Sequence, residues 1–185
     1  DYVVAKLPRW AFEKFPGVDP ALGPQMKSVG EVMSIGRTFK EALLKGLRSL
    51  ELSRPPYPAP AHAVWDGRLE SLALPRAERI WAVWEALRAG RTCAEIAAAS
   101  RIDPWFVAQL ADVVALEQQI AASGALDHVP ADLLRAAKRA GFGDAHIAWL
   151  LGAAEADVRA RRADLGIAPT FHVVDTCASE FESYT

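Results

Sequence analysis

MKSVGEVMSIGRTFKEALLKGLRSLE, residues 26–51, joins an alternating apolar stretch to a helix and is followed by a proline-rich break. Residues 29–35 alternate loosely and lead into Gly36, which predicts a strand that ends in a turn. Thr38 and Glu41 have the spacing of a capping box, and the leucines that follow recur on one helical face. The next residues read SRPPYPAPAH, and prolines at this density do not continue a helix. A structural element therefore ends at this break and a new one begins.

The composition limits the classes of protein that the chain can represent. Its 185 residues are 51% hydrophobic, which is enough for a buried core and predicts one domain, or one domain plus part of another. The net charge of −2 does not favour nucleic-acid binding through a basic surface. Cys93 and Cys177 lack the spacing of a metal site and favour a reducing, cytoplasmic setting. No apolar run approaches the roughly 20 residues of a membrane-spanning helix, and no signal-peptide pattern is present. We therefore expect neither a membrane nor a nucleic acid as partner.

The first 52 residues combine strand and helix patterns. Residues 2–7 carry β-favouring side chains, and their expected partner is residues 29–35 across a turn-rich, aromatic loop. Two strands and one helix do not make a stable fold alone. We therefore interpret residues 1–52 as the last part of a larger α/β domain, and the proline-rich residues 53–62 as a linker.

From residue 63 to residue 169 the pattern predicts an all-α domain. Thr92 and Glu95 repeat the capping-box spacing, and Asp103 precedes a helix that begins with Pro104. Residues 170–174 return to β-favouring types, so residues 170–185 are predicted to begin a connector. The fold class is thus mainly α, with a small α/β part before it. The predicted helices after the break cover residues 76–89, 92–99, 104–122, 130–140, 144–151 and 153–165. The longest helix should direct five side chains to the core: Phe106, Leu110, Val113, Val114 and Ile120.

Catalytic, cofactor-binding and metal-binding residues are not predicted. A phosphate-handling site needs a glycine-rich loop and converging charges, and neither GxxxxGK[ST] nor GxGxxG occurs. The nearest stretch, GFGDAH at residues 141–146, has its glycines where one helix ends and the next begins. Cys93 lies at the start of a capped helix, where a small apolar side chain is the ordinary explanation. The histidines fall in different elements without consistent spacing: His62, His128, His146 and His172.

Two stretches imitate helix-turn-helix DNA readers. They are RTCAEIAAASRIDPWFVAQL and AHIAWLLGAAEADVRARRADLGI. Between residues 131 and 166, six basic and five acidic side chains leave a charge of +1, too little for a surface that follows phosphates. Glu155 and Asp157 also fall in the would-be recognition helix of the second stretch, so DNA binding is disfavoured.

Four further residues are candidates for positioning or contact roles. Glu31 is a carboxylate within an apolar strand, where it should be paired or solvated at an edge. Arg37 precedes the first helix and is expected to fix the turn. Core packing is the favoured explanation for the tryptophans, but tryptophan is also enriched at interfaces. Trp65, after the proline-rich segment, and Trp105, beside Pro104, are the better candidates for interface residues.

Residues 26–51 closely resemble the end of the first ATP-grasp half of the carbamoyl phosphate synthetase large subunit. The resemblance continues through KLPRWAFEKFPGVDPALGPQ, RIDPWFVAQL, LLRAAKRAGFGDAHIA and VVDTCASEFES, in the order of that family and over nearly the whole chain. It implies that residues 1–52 end an ATP-grasp domain, residues 63–169 form the helical oligomerisation domain, and residues 170–185 lead to the second synthetase half. The chain itself would be a non-catalytic internal piece, a homo-oligomer in contact with the rest of the large subunit.

The resemblance also implies an activity for the parent enzyme. That enzyme is a cytoplasmic, glutamine-hydrolysing, ATP-dependent ligase with a glutaminase small subunit. It makes carbamoyl phosphate for pyrimidine and arginine synthesis from bicarbonate, glutamine-derived ammonia and two ATP, with magnesium and potassium. Glu31 would line the internal route of the carbamate intermediate. Cys177, within the shared stretch VVDTCASEFES, would be a structural residue. Two other hypotheses stay open: a free-standing helical binding module that uses the helix-turn-helix-like units, and a small enzyme that uses Cys93 or Cys177.

Overall fold

The computed structural model of the chain describes residues 2–52 and 54–176, apart from the side chain of Glu13. These residues contain seven α-helices and two strands, so the fold is mainly α-helical with a small α/β part, as predicted. They divide into two compact units. The first unit comprises residues 2–5, 34–45 and 119–176, and the second unit comprises residues 6–33 and 46–118.

The two strands form a small antiparallel sheet. β1 spans Val3–Trp10 and β2 spans Ser28–Gly36, so each strand is somewhat longer than predicted. The hydroxyl of Ser34 donates to the backbone oxygens of Ala5 at 3.2 Å and Ala42 at 2.7 Å. Because Ser34 is buried, these hydrogen bonds satisfy its polar group and tie both strands to the helix that follows.

The first helix, α1, spans Phe39–Ser49 and begins with a shifted form of the predicted capping box. The backbone N–H of Glu41 donates to Thr38 Oγ1 at 3.2 Å, as expected. The Glu41 carboxylate accepts a hydrogen bond from the backbone N–H of Arg37 at 2.8 Å, one residue before the predicted partner. The turn at Gly36 is tight, because a Cβ atom there would lie 2.7 Å from the backbone nitrogen of Ala42. The predicted leucines are buried along α1: Leu43, Leu47 and Leu50.

The second unit holds two complete helices and most of a third. α2 spans Arg79–Arg88, α3 spans Cys93–Ser100, and α4 spans Pro104–Ala122, of which residues 104–118 belong to this unit. The capping box of Thr92 and Glu95 is present with both hydrogen bonds. α3 packs against a 3₁₀ turn, Leu69–Ala73, whose Leu72 is fully buried.

One predicted core residue of α4 is wrong. Phe106 is 43% exposed, whereas Val107 is fully buried. Successive helical residues point about 100° apart. The buried line that runs through Val107, Leu110 and Val114 therefore leaves Phe106 at the solvent edge. The other four predicted side chains on α4 are buried.

The first unit holds three complete helices, together with most of α1 and the end of α4. α5 spans Ala131–Arg139, α6 spans Asp144–Leu151 and α7 spans Glu155–Asp164, each within two residues of its predicted bounds. α6 and α7 pack against each other. Fully buried residues from all three helices form the core of this unit: Leu134, Ile147 and Val158. Residues 170–174 do not form a strand, and residues 177–185 lie outside the described part.

Candidate structural frame and association surface

Glu31 lies on β2 and forms an ion pair across the sheet. Its carboxylate is 2.8 Å from Lys6 Nζ, and the Lys6 and Glu31 side chains are 62% and 52% exposed. A pair as exposed as this contributes at most about 1 kcal/mol to stability. Glu31 is thus both paired and solvated, the arrangement that its position in an apolar strand predicts.

The turn before α1 is fixed by Glu41 and Lys45. The ammonium of Lys45 donates to Glu41 Oε1 at 2.5 Å and to the backbone oxygen of Ile35 at 3.1 Å. The other carboxylate oxygen of Glu41 holds the backbone N–H of Arg37, whose side chain is exposed. Arg37 therefore takes part in the turn through its main chain.

The cysteine and histidine candidates stay in separate elements. Cys93 is a free, partly buried thiol at the first residue of α3. His62, His128 and His172 are exposed, whereas His146 is buried and stacks on Phe142, with 4.6 Å between ring centroids. Cys177 lies outside the described residues. Within residues 2–52 and 54–176, no group of three or more His, Cys, Asp or Glu side chains could hold a metal ion.

The stretch GFGDAH serves helix packing. Gly141 ends α5 with φ +100°, and a Cβ atom on it would lie 3.0 Å from Glu41 Cα and 3.1 Å from Leu44 Cβ. Phe142 is 1% exposed, and Asp144 begins α6. The glycine is thus required because the backbone closely approaches α1 in the first unit.

Asp144 organises the charges of the first unit. Its carboxylate is 2.7 Å from Lys138 Nζ, 3.1 Å from Arg162 Nη2 and 3.9 Å from Arg159 Nε. Burial by itself would raise the pKa of Asp144, but the hydrogen bonds and charges of Lys138 and Arg162 outweigh it, so the pKa lies below its ordinary value. Within the helix-turn-helix-like pair α6 and α7, Arg159 and Arg162 of α7 therefore face this carboxylate.

A buried ion pair joins α2 to α4 in the second unit. Arg88 donates from Nε and Nη2 to the two carboxylate oxygens of Glu117 at 2.7 and 2.6 Å, a bidentate geometry. The Glu117 side chain is only 4% exposed. The guanidinium of Arg88 also donates to the backbone oxygen of Pro58 and lies near the ring of Trp84. The sequence analysis did not predict this pair. A signal was present, because Glu117 falls in helical phase with Val113 and Val114 of α4 and is therefore a charged residue on the buried face.

The proline-rich residues 54–65 lie along α2. The Arg54 guanidinium lies 3.9 Å from the centre of the Trp81 ring, a cation–π contact, and its burial lowers the Arg54 pKa while nearby glutamates oppose the shift. The Glu85 carboxylate accepts hydrogen bonds from the backbone N–H groups of Val64 at 3.0 Å and Trp65 at 2.7 Å. These contacts and the Arg88 bond to Pro58 hold the segment at several points.

The two predicted interface tryptophans differ in environment. Trp65 is half-buried, and its indole N–H donates to the backbone oxygen of Arg68 at 3.0 Å. Trp105 is 53% exposed in the first turn of α4, where its ring meets Phe106 edge-on with centroids 5.0 Å apart. The exposed aromatic pair is the type of surface that protein partners cover.

Comparison with known proteins gives consistent matches. Residues 31–166 match the model of a family described as carbamoyl-phosphate synthetase large chain, oligomerisation domain. The carbamoyl phosphate synthase large chain of Rhodopirellula baltica is 44% identical over 193 residues, that of Myxococcus xanthus 47% over 190, and that of Mycobacterium tuberculosis 48% over 190.

Each alignment covers 100% of this chain but 17–18% of the relative. None of the described helices meets the length and hydropathy that crossing a bilayer requires. The chain belongs to the carbamoyl phosphate synthetase large-chain family, whose oligomerisation-domain model matches residues 31–166.

Proposed function

We propose that the chain is a non-catalytic part of a carbamoyl phosphate synthetase large subunit, which holds the two synthetase halves in register and associates with a second copy of itself. The match of residues 31–166 to the oligomerisation domain carries this proposal. Its parent enzyme would be an ATP-dependent ligase in the cytoplasm, which makes carbamoyl phosphate from bicarbonate, glutamine-derived ammonia and two ATP. ATP, magnesium and potassium would be bound elsewhere in that parent, and the glutaminase small subunit would be its partner.

The internal bracing of the helices supports a scaffolding role. The buried charges described above serve to fix elements: Arg88 and Glu117 join α2 to α4, and Asp144 joins α6 to α7 through Arg162. Bidentate and networked ion pairs restrict geometry, because both partners must stay aligned to avoid an unpaired buried charge. A frame of this kind suits a domain that keeps attached parts at a fixed distance.

The sheet supports assignment of residues 1–52 to the end of an ATP-grasp domain. Val29 and Met33 are 54% and 68% exposed on β2, and Glu31 lies between them on the same side of the strand. A two-stranded sheet with apolar residues on its open side is incomplete as an independent fold. In the proposed parent, further sheet would cover this side, residues 53–62 would link the two domains, and Glu31 would line the route of the carbamate intermediate.

Two assays on the chain test the proposal. The first measures carbamoyl phosphate formed from ATP, bicarbonate and ammonia with magnesium and potassium present, and we expect none. The second measures sedimentation velocity over a concentration series, and we expect a reversible increase in mean mass. Product formation would contradict the non-catalytic role, and a constant monomer mass would contradict self-association.

A further inference from the structure

We propose that the junction between residues 1–52 and the helical domain is a rigid clamp, in which two segments are fastened to α2 and to the residues just before it. The latch, residues 19–22, belongs to the loop between β1 and β2, and the strap, residues 54–65, is the proline-rich segment. Both segments and α2 lie in the second unit. The inference rests on the proposed role of keeping the synthetase halves in register, and it names the contacts that would do so.

Backbone pairing fastens the latch. The N–H of Leu22 donates to the backbone oxygen of Pro75 at 2.7 Å, and Ala21 and Arg76 form an antiparallel β-bridge. A bridge between two main chains contains no flexible side chain, so it sets the position of one segment on the other. The latch therefore fixes the loop from the α/β part to the chain directly before α2.

Lys27 gives the latch its shape. Its ammonium donates to the backbone oxygens of Asp19 at 2.9 Å and Ala21 at 2.6 Å. The Asp19 carboxylate accepts a hydrogen bond from the backbone N–H of Ala21 at 2.9 Å, which forms an Asx turn. An ammonium has three donors and can bind several carbonyl oxygens of a tight loop at once. Lys27 is therefore a positioning residue, because it holds the loop in the form that presents Leu22 to Pro75.

The strap depends on α2 because it forms few hydrogen bonds of its own. Four of its residues are prolines, which lack an N–H donor. Prolines also restrict the unfolded chain, so fixing this segment costs less entropy than fixing an ordinary one. Tyr57, Pro58 and Ala59 are buried. The strap is thus a stiff segment that needs side chains of another element to hold it.

Three side chains of α2 fasten the strap along its length: Trp81, Arg88 and Glu85. They contact its start, its middle and its end through the cation–π contact and the hydrogen bonds described above. Arg88 is itself held by the buried carboxylate of Glu117. Glu85 accepts two backbone N–H groups, and hydrogen bonds to a charged group are stronger than neutral ones. A segment held at both ends and in the middle does not act as a free hinge.

The test measures a distance across the clamp by double electron–electron resonance. Spin labels are placed at Met33→Cys on β2 and Ala98→Cys on α3, in a chain with Cys93→Ser and Cys177→Ser. Both label sites are exposed and lie in the second unit. A rigid clamp predicts one narrow distribution of distances between the labels, whereas a free linker predicts a broad one.

Variants of the clamp should broaden this distribution. Lys27→Met removes the support of the latch, Glu85→Ala removes the contact at the end of the strap, and the two changes are combined. The matched control combines Lys14→Met with Glu70→Ala, which change exposed side chains of the same types in the same unit. The control should leave the distribution narrow. A distribution that stays narrow in the clamp variant would overturn the roles of Lys27 and Glu85.

Amide hydrogen exchange, measured by NMR, follows each fastening separately. Glu85→Ala should raise the exchange rates of the Val64 and Trp65 N–H groups about tenfold or more, because hydrogen bonds to a charged group are lost. Glu85→Gln keeps one oxygen acceptor and should raise them less. Lys27→Met should raise the exchange rate of the Leu22 N–H. Unchanged exchange rates in α4 would show that the unit stays folded in each variant.

Two results in the wild type would overturn the clamp. They are a broad distribution of distances between the labels, and exchange of the Leu22, Val64 and Trp65 N–H groups at the rate of an unfolded peptide. Neither result bears on product formation or on molar mass, so failure of the clamp and failure of the proposed function are distinguishable.

Discussion

Removal of either partner of the buried Arg88–Glu117 pair should destabilise the second unit strongly. Glu117→Ala deletes two charge-assisted hydrogen bonds of 2.7 and 2.6 Å and leaves the guanidinium of Arg88 without its carboxylate partner. Hydrogen bonds to charged groups contribute roughly 1.5–3 kcal/mol each, and breaking a buried ion pair costs about 3–5 kcal/mol. We therefore expect the free energy of unfolding to fall by about 3–5 kcal/mol. Arg88→Met should have a similar or larger effect, because it leaves the almost fully buried carboxylate of Glu117 unpaired.

The double variant Arg88→Met, Glu117→Met isolates the pairing. It replaces both charges by apolar side chains of comparable length, so no buried charge is left without a partner, and it should cost far less than the two single changes together. Urea unfolding, followed by circular dichroism with the slope m compared between variants, measures all three. Strict additivity of the single effects would refute the reasoning, because it would mean that the two side chains do not depend on each other.

Three further changes test other parts of the structure. Gly141→Ala should lower the free energy of unfolding, measured by thermal unfolding, by about 2 kcal/mol or more, because φ is +100° and the added Cβ would press on the α1 backbone. Gly124→Ala is the control: φ is +72° and nothing lies within 4 Å of the added Cβ, so it should cost only about 1 kcal/mol. Asp144→Asn should reduce the loss of stability that acid causes, as measured by unfolding experiments from pH 6 to about pH 2. The pKa of Asp144 in the folded state lies below its unfolded value of about 3.9, so the ionised carboxylate stabilises the wild type and this stabilisation is lost as the pH falls through the folded pKa. The variant has no carboxylate at this position, so its stability should fall less. Thr92→Ala should lower stability by about 1 kcal/mol and reduce hydrogen-exchange protection at the start of α3, and an unchanged value would argue against the capping box as a stabilising contact.

The local signals of the sequence predicted most helix bounds. Pro104 at the first helical position and the capping box at Thr92 fix where α4 and α3 begin, and both effects depend on neighbouring residues only. Gly152 adopts a left-handed conformation at the end of α6, as its place after an apolar run indicates. Signals of this kind are readable because the chemistry that starts or stops a helix lies within one turn of the helix end.

Long-range pairings were not predictable in the same way. Arg88 and Glu117 are 29 positions apart, and Arg162 and Asp144 are 18 apart. A charged residue in an apolar helical phase indicates that some partner exists, but the pattern does not say which residue supplies it. Phe106 was misplaced because several faces of an alanine-rich helix look equally apolar, and only packing against the rest of the unit selects the buried one.

The role of Glu31 and the functions of Trp65 and Trp105 stay predictions. The structure gives them distinct environments: Glu31 pairs with Lys6, Trp65 is held by hydrogen bonds to Glu85 and Arg68, and Trp105 is exposed. Of these three, Trp105 has the exposure that contact with another molecule requires.

Light scattering tests the central claim most directly. It measures the molar mass of the wild-type chain from dilute solution to about 1 mM, a concentration that reveals even a weak, millimolar association. The proposed association predicts a reversible rise from the monomer mass of 20.1 kDa towards twice that value. A mass that stays at 20.1 kDa throughout would contradict it.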